Sequence, residues 1–136
     1  MLSRASRLCV LKTKAFARFA RKAGIGDADL WETACAVNAG AIDADLGGGV
    51  IKQRIARTGQ GKSGGFRSII LFRRRSRAVF AYGFEKKDRA NIDAKELEAF
   101  RELAAVILGY SDAELAQRVR NGALMEIQVP PEVESA

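Results

Sequence analysis

Histidine is absent from this 136-residue chain, and with it the most common general base, pH switch and metal ligand. Any catalysis must therefore use lysine, arginine, tyrosine or carboxylate side chains. Cysteine is also scarce, and Cys9 and Cys35 do not have the spacing of a metal site. Because Cys9 lies in an apolar strand-like run and Cys35 in a helix-like one, we expect two buried free thiols in a reducing compartment, the cytoplasm.

Long hydrophobic runs are missing too. No stretch approaches the roughly 18 apolar residues that a membrane helix needs, so we expect no membrane partner. Repeats, low-complexity segments and linkers are equally absent. We therefore expect residues 1–136 to form a single domain that can bury its own core, with residues 129–136 as a frayed tail.

Acidic residues are unevenly distributed. Residues 1–26 hold seven cations and no acid, and residues 51–90 hold twelve cations against two acids, Glu85 and Asp88. Basic charge concentrated in the centre of the chain indicates a polyanionic partner, although a solvated basic surface is an alternative. The acid-free start also fits an organelle transit peptide. The strand-like run at residues 8–11 and the absence of a composition break favour integral structure instead.

Hydrophobic periodicity predicts the order of elements. A short strand at 8–11 precedes two helices, at 14–23 and 28–39, which form a hairpin. Strands follow at 50–57, 66–72 and 78–84, then helices at 94–108 and from Ser111 to about Arg120, and a last strand at 123–128. Residues 73–77, which hold four arginines, form the tight turn between two strands. A run of like charges there cannot be buried and must face water or an anion.

The most informative segment is residues 46–72, in which two β-branched runs flank a glycine-rich basic loop. Lys52 and Arg54 share one strand parity and Ile51 and Ile55 the other, so the two cations project from one face of the sheet. Cations aligned on a sheet face beside a glycine loop suit a phosphate backbone.

Residues 56–63 fit the relaxed pattern of a nucleotide-binding P-loop, with Ala56 in place of the first glycine. That motif requires a helix to start at Lys62-Ser63, where its N-terminal amides cradle the phosphates. Gly64-Gly65 and a β-branched, strand-like run follow instead, so we expect a mobile basic hairpin loop and not a nucleotide hydrolase.

These segments resemble the RelE/ParE superfamily of bacterial type II toxins, in its RelE-like branch, which includes HigB-like and RelE-like mRNA interferases. The resemblance rests on residues 46–55, on Gly-Gln-Gly-Lys-Ser-Gly-Gly-Phe-Arg at 59–67, and on residues 80–92, and covers roughly 8–109. It implies an α+β fold with a two-helix hairpin packed on a small, twisted, mainly antiparallel sheet, with C-terminal helices. It also implies growth arrest through ribosome-dependent cleavage of mRNA, or inhibition of DNA gyrase in ParE-like members. The implied partners are the ribosome, mRNA and a cognate antitoxin, a DNA-binding protein of the same operon.

RNA cleavage can be built from cations alone, because the 2′-hydroxyl of RNA is the nucleophile. The hydroxyl must lose a proton, the pentavalent phosphate must be stabilised and the leaving 5′-oxygen must gain a proton. Clustered cations stabilise the phosphorane, and a crowded lysine gives up its proton far more readily than an arginine. This chemistry needs no metal and no cofactor.

The resemblance assigns the catalytic positions to four cations. Lys52 and Arg54 match the basic pair of the first central strand, and Lys52 is the best candidate for general base. Arg67 matches a phosphate-contacting arginine, and Lys86 the position for leaving-group protonation or phosphate stabilisation. Each could instead be a solvated or RNA-positioning cation. The chain lacks the C-terminal tyrosine or histidine frequent in such sites, which leaves the general acid unassigned.

Six further residues are predicted to bind RNA: Lys62, Arg73, Arg75, Phe84, Lys87 and Arg89. Phe84 could stack on a base, although its place in an apolar strand also fits ordinary core packing. Tyr82 could act as an acid or base, but alternation in the same strand favours the core. Two other functions stay open at this point: a gyrase inhibitor, and a nucleic-acid-binding module without catalysis.

Overall fold

The computed structural model describes residues 8–55 and 65–128. The predicted RNA contact Lys62, most of the P-loop-like segment, the end of the strand predicted at 50–57 and the predicted tail at 129–136 lie outside the described residues. Where a P-loop would continue into a helix, the chain is instead a β-strand from Phe66.

A six-stranded sheet in the order β2-β3-β4-β5-β1-β6 forms the centre of the fold. Its pairs are antiparallel except β1–β5, which is parallel. The strands are β1 Cys9–Thr13, β2 Ala44–Gly47, β3 Val50–Arg54, β4 Phe66–Arg73, β5 Arg77–Glu85 and β6 Leu124–Glu126.

Four helices of the described chain cover the two faces of the sheet. Helices α1 Lys14–Ala23 and α2 Asp27–Asn38 bury Phe16, Leu30 and Val37 against one face. Helices α3 Ala94–Leu108 and α4 Asp112–Arg120 bury Ala104 and Leu115 against the other. Apolar side chains therefore cover both faces of the central strands, which explains why β4 and β5 are almost continuously hydrophobic.

Side-chain caps fix where three of the helices start. Thr13 accepts a hydrogen bond from the Phe16 amide at the start of α1. Asp93 and Ser111 each form a capping box with the glutamate three residues later, Glu96 and Glu114. These reciprocal bonds satisfy amides that have no partner inside a helix.

The predicted fold class is confirmed: an α+β fold with a helical hairpin on a mainly antiparallel sheet. The predicted helices and central strands are present, and β3 ends at Arg54. The prediction missed β2, because Ala44–Gly47 is short and alternates acids with apolar residues. Glycines 47–49 form the turn between β2 and β3, with positive φ angles of 85°, 65° and 84°, a conformation that glycine tolerates best.

Two predictions about burial are wrong. Cys35 is exposed and Cys9 is only half-buried, because the buried stripe of α2 runs through Leu30, Ala34 and Val37. Arg77 is buried, with 7% of its surface exposed, although it follows the turn arginines. Its strand parity turns it beneath α3, where Nη1 donates to the Ile107 carbonyl at 2.9 Å and Nη2 lies 3.4 Å from Asp112 Oδ1. A helix C-terminus and a carboxylate thus stabilise this buried charge.

Candidate active site

Three of the four predicted catalytic cations lie on one face of adjacent strands. Arg54 of β3 pairs in register with Arg67 of β4, and two residues earlier Lys52 pairs with Ile69. Because Ile69 belongs to the core beneath α3, strand alternation places all three cations on that face. The pairing brings two arginines directly opposite one another, which is unfavourable unless an anion or solvent separates their charges.

These cations have few protein partners. Lys52 and Arg67 are half-buried and Arg54 is exposed. Asp43 accepts a hydrogen bond from the Arg54 amide at 2.7 Å and lies 3.7 Å from its Nε, an ion pair at the weak limit. Within residues 8–55 and 65–128, the Lys52 side chain makes no hydrogen bond or ion pair. The charge of the cluster is therefore largely available to a ligand.

Lys86 lies at the same end of the sheet as Arg54 and Arg67. Its amide donates to the Gly65 carbonyl at 2.7 Å, which extends the β4–β5 pairing by one position past Phe66↔Glu85. Both Lys86 and Lys87 are exposed, in the turn that follows β5. The fold thus brings all four predicted catalytic cations to one end of three neighbouring strands.

Phe84 extends the Arg54–Arg67 row to a third strand, because it pairs in register with Arg67. Its ring is 4% exposed and lies 5.9 Å from the Tyr82 ring, which lies 5.9 Å from Phe100. Phe84 is therefore buried, which agrees with ordinary core packing. Tyr82 is partly buried in the same aromatic group, as the core interpretation predicted, and its hydroxyl accepts a hydrogen bond from Arg89.

Arg89 is tied to the protein by four hydrogen bonds. It donates to both carboxylate oxygens of Glu96 at 2.6 and 3.0 Å, to the Tyr82 hydroxyl at 3.1 Å and to the Asn91 carbonyl at 3.0 Å. Its guanidinium carbon also lies 5.8 Å from the centre of the Phe84 ring. The hydrogen bonds to Glu96 and then Tyr82 raise the pKa of Arg89. The bond from Arg89, followed by that from the Asp93 amide, lowers the pKa of Glu96.

The turn arginines lie far from this cluster. Arg73 and Arg75 are exposed, and Arg73 is six residues along β4 from Arg67, about 20 Å at the usual rise of a strand. Arg75 has a φ of 61°, and its amide donates to Asn38 Oδ1 at 2.8 Å. The structure therefore separates the predicted RNA contacts of the turn from the predicted catalytic cations.

Sequence reasoning missed a row of cations on α1. Four exposed side chains at helical spacing share its outer side: Lys14, Arg18, Arg21 and Lys22. The signal was present, since α1 contains no acidic residue and its buried residues Phe16, Ala17 and Ala20 lie away from these cations. These cations belong to the same positively charged end of the molecule, because Lys22 lies beside the C-terminal half of β5.

The family model described as the RelE toxin of the RelE/RelB toxin–antitoxin system matches residues 8–127. The chain belongs to the RelE toxin family. The match extends the resemblance seen in the sequence beyond residue 109 and includes all six described strands. No curated protein matches the chain. Membership of this family implies a cognate antitoxin as partner.

In this RelE-family chain, the described residues contain no group of three Cys, Asp or Glu side chains placed to hold a metal ion. No described helix is both long and apolar enough to cross a membrane. Among the described residues, the site offers cations on adjacent strands, with one tyrosine hydroxyl and aromatic rings beside them. Such a surface can bind a phosphodiester and stabilise additional negative charge on it.

Proposed function

We propose that this toxin is an endoribonuclease that cleaves mRNA on the ribosome and so blocks translation. One observation carries the proposal: Arg54 and Arg67 are paired across adjacent strands, with Lys52 on the same sheet face. Toxins of the RelE family are generally endoribonucleases. A gyrase inhibitor would have no need for this paired arrangement, since it acts by binding a protein.

The proposed reaction is an intramolecular transesterification. Phosphorus forms a bond to the neighbouring 2′-oxygen and loses its bond to the 5′-oxygen of the next nucleotide. Lys52 is the general base that takes the 2′-hydroxyl proton, and the 2′-oxygen attacks phosphorus. Arg54 and Arg67 stabilise the dianionic phosphorane. The bond to the 5′-oxygen then breaks, and that oxygen takes a proton from Lys86 or solvent. The products are a 2′,3′-cyclic phosphate and a free 5′-hydroxyl.

The role of the ribosome follows from the charge of the molecule. A net charge of +7 gives general affinity for RNA, but such affinity is sensitive to salt and carries no sequence information. The exposed cations of the turn and of α1 would bind phosphates of ribosomal RNA. A toxin docked in this way would present Lys52 to the mRNA on the ribosome. Binding energy from these remote contacts would then position the reacting groups.

The proposal is tested by incubating the purified toxin with programmed ribosomes, and separately with free mRNA, and mapping the cleaved ends. We expect cuts on ribosomes with cyclic-phosphate and 5′-hydroxyl ends, and little cleavage of free mRNA. Cleavage should persist when chelator removes all metal beyond the magnesium that holds ribosomes together. Intact mRNA together with inhibited gyrase supercoiling would reject the proposal in favour of the gyrase inhibitor. Intact mRNA with salt-sensitive RNA binding would favour the non-catalytic module.

A further inference from the structure

Arg89 joins the turn that carries Lys86 to the start of α3. The turn is closed by the amides of Asp88 and Arg89, which donate to the Glu85 carbonyl at 3.0 and 3.2 Å. The Arg89 side chain reaches across to α3 and donates a hydrogen bond to each carboxylate oxygen of Glu96, at 2.6 and 3.0 Å. A bidentate pair of this kind fixes the orientation of both groups more strictly than a single bond does.

The guanidinium of Arg89 is almost fully used within the protein. Nη1 donates to the Tyr82 hydroxyl and to Glu96, Nη2 donates to Glu96, and Nε donates to the Asn91 carbonyl. Four of its five N–H groups therefore have acceptors. Its guanidinium carbon also lies 5.9 and 5.8 Å from the centres of the Tyr82 and Phe84 rings. Arg89 thus has little capacity left for an RNA contact and holds the turn against the end of β5.

Glu96 connects this turn to the body of the protein. Its Oε1 also accepts a hydrogen bond from the Asp93 amide at 2.9 Å, as part of the capping box that starts α3. Three turns farther along the same helix, Ala104 and Leu108 pack in the core beneath α3. Because α3 is fixed on the sheet by that core, Glu96 fixes the Lys86 turn relative to the sheet through Arg89.

Lys86 has few other attachments. Its amide donates to the Gly65 carbonyl at 2.7 Å, and its side chain is exposed. In the part of the chain that the structure describes, that side chain makes no hydrogen bond or ion pair. The contact between Arg89 and Glu96 is therefore the main restraint on the turn from the α3 side.

The location of Lys86 matters because it lies opposite Lys52 across Arg67. Lys86 is two residues beyond Phe84, the partner of Arg67, so strand alternation places it on the face that carries Arg67. On the β3 side, Lys52 is diagonal to Arg67 in the opposite direction along the strands. Diagonal partners lie about 7–8 Å apart, within reach of long side chains. In-line displacement at phosphorus places the attacking and leaving oxygens on opposite sides, and this layout does the same for the base and the acid.

We propose that Glu96, acting through Arg89, positions Lys86 for proton transfer to the leaving 5′-oxygen. Glu96 and Arg89 are positioning residues in this scheme and do not touch the substrate. Their role rests on the proposed function, because it is a role in that reaction. It also identifies Lys86, and not solvent, as the source of the proton.

A purely structural role for Glu96 is the alternative, since the same carboxylate caps α3. Glu96→Gln separates the two roles, because glutamine still completes a capping box but loses the charged, bidentate pair with Arg89. Glu114→Gln is the matched control. Glu114 occupies the same position in the capping box of α4, and no arginine of the described chain donates a hydrogen bond to it.

The test is a double-mutant cycle on single-turnover cleavage with saturating ribosomes, for variants that circular dichroism shows to be folded. We expect Glu96→Gln to lower the rate about tenfold through misplacement of Lys86, and Glu114→Gln to leave it unchanged. In a Lys86→Ala background, Glu96→Gln should have no further effect, because the group that it positions is gone. In a Lys52→Ala background the tenfold loss should remain.

Hydrogen exchange at the Lys86 amide gives a readout that does not depend on cleavage. The amide should exchange faster in Glu96→Gln than in the wild-type chain or in Glu114→Gln, because the turn that carries it opens more often. Exchange that is unchanged in Glu96→Gln would overturn the positioning role.

The cycle separates this role from the nuclease itself. A loss from Glu96→Gln that is the same with and without Lys86 would overturn the positioning role and leave the nuclease standing. A wild-type rate in Lys86→Ala or in Glu96→Gln would do the same. A wild-type chain that cleaves no mRNA on ribosomes would reject the proposed function, and the positioning role with it, whatever the exchange rate.

Discussion

Arg89 and Arg77 are held by partners within the protein, unlike Lys52 of the candidate active site. Each guanidinium is bound to a carboxylate and a carbonyl of its own chain, whereas Lys52 has no such partner among the described residues. Net charge alone does not distinguish cations that are paired within the protein from cations that have no such partner. The cations that other side chains already hold stabilise the fold around the site, and those left free can bind a ligand.

Replacing Arg77 should destabilise the fold. Arg77→Ala removes a buried guanidinium and leaves the Ile107 carbonyl without its donor, so we expect a loss of about 2 kcal/mol in the free energy of unfolding. Arg73→Ala is the matched control, because Arg73 is exposed in the turn, and it should cost less than about 0.5 kcal/mol. Urea denaturation measures both, and equal losses would contradict the burial of Arg77.

The Arg89–Glu96 pair should make stability depend on pH. The pKa of Glu96 is lowered in the folded chain, so its carboxylate stabilises the fold above the unfolded glutamate pKa of about 4.3. This contribution is lost as the pH falls from there through the folded pKa.

We therefore expect Glu96→Gln to lower stability at pH 7 more than at pH 3, as measured by urea denaturation at both. The exposed α3 variant Glu102→Gln is the control. A Glu96→Gln effect that is independent of pH would show that the pair contributes no charge interaction.

At the scale of elements, α1 approaches β5 closely at Gly83. Phe19 lies directly over Gly83, where a Cβ would come within 2.3 Å of the Phe19 ring. The same ring packs edge-on against Phe66 at 6.0 Å. This contact sets the distance between α1 and the C-terminal half of β5.

Gly83→Ala should push α1 away from β5. The added methyl group cannot fit without displacement of Phe19, so we expect a loss of about 1–3 kcal/mol in stability, as for other overpacked cores. Gly26→Ala is the control, because a Cβ at Gly26 would have no neighbour within 4 Å. Thermal unfolding of both variants measures the difference, and two equal melting temperatures would contradict the close approach.

The helices and central strands could be predicted from the sequence because their signals are local. The spacing of Asp93 and Glu96 indicates a helix start. The alternation of Lys52 and Arg54 with Ile51 and Ile55 indicates a strand with one basic face. The short β2, the parallel β1–β5 pairing and the burial of Arg77 depend on contacts between distant segments. Local sequence patterns carry no information about such contacts. The hydrogen bonds from Arg89 to Glu96 and Tyr82 were not predicted for the same reason.

On the scale of the whole molecule, cations gather at one end of the sheet and in the 73–77 turn, and most acidic residues lie elsewhere. The predicted catalytic cations, the α1 cations and Lys86 and Lys87 lie toward one end of the sheet, and much of the acidic charge is on α3, α4 and the segment 27–45. We therefore expect an antitoxin that neutralises the toxin to cover this positively charged surface. The long-range electrostatic field of that surface would also increase the rate of association with the antitoxin and with the ribosome.

We expect a segment of the cognate antitoxin that carries its own acidic residues to cover the Lys52, Arg54 and Arg67 face, or to block its access to the ribosome. The structure of the complex tests this expectation. Lower affinity for the antitoxin at high salt would agree with it. A complex that leaves this face open and still docks on the ribosome would contradict it.

The central claim is that chemistry is localised at one end of the sheet while the turn arginines only bind RNA. It is tested by single-turnover cleavage on saturating ribosomes for Lys52→Ala, Arg67→Ala, Arg73→Ala and Arg75→Ala, after circular dichroism has confirmed that each variant is folded. The first two should lose about 100-fold in rate, or about 3 kcal/mol of transition-state stabilisation. The turn variants should keep the wild-type rate and show only weaker, less salt-dependent ribosome binding. Equal defects in all four would contradict a localised active site.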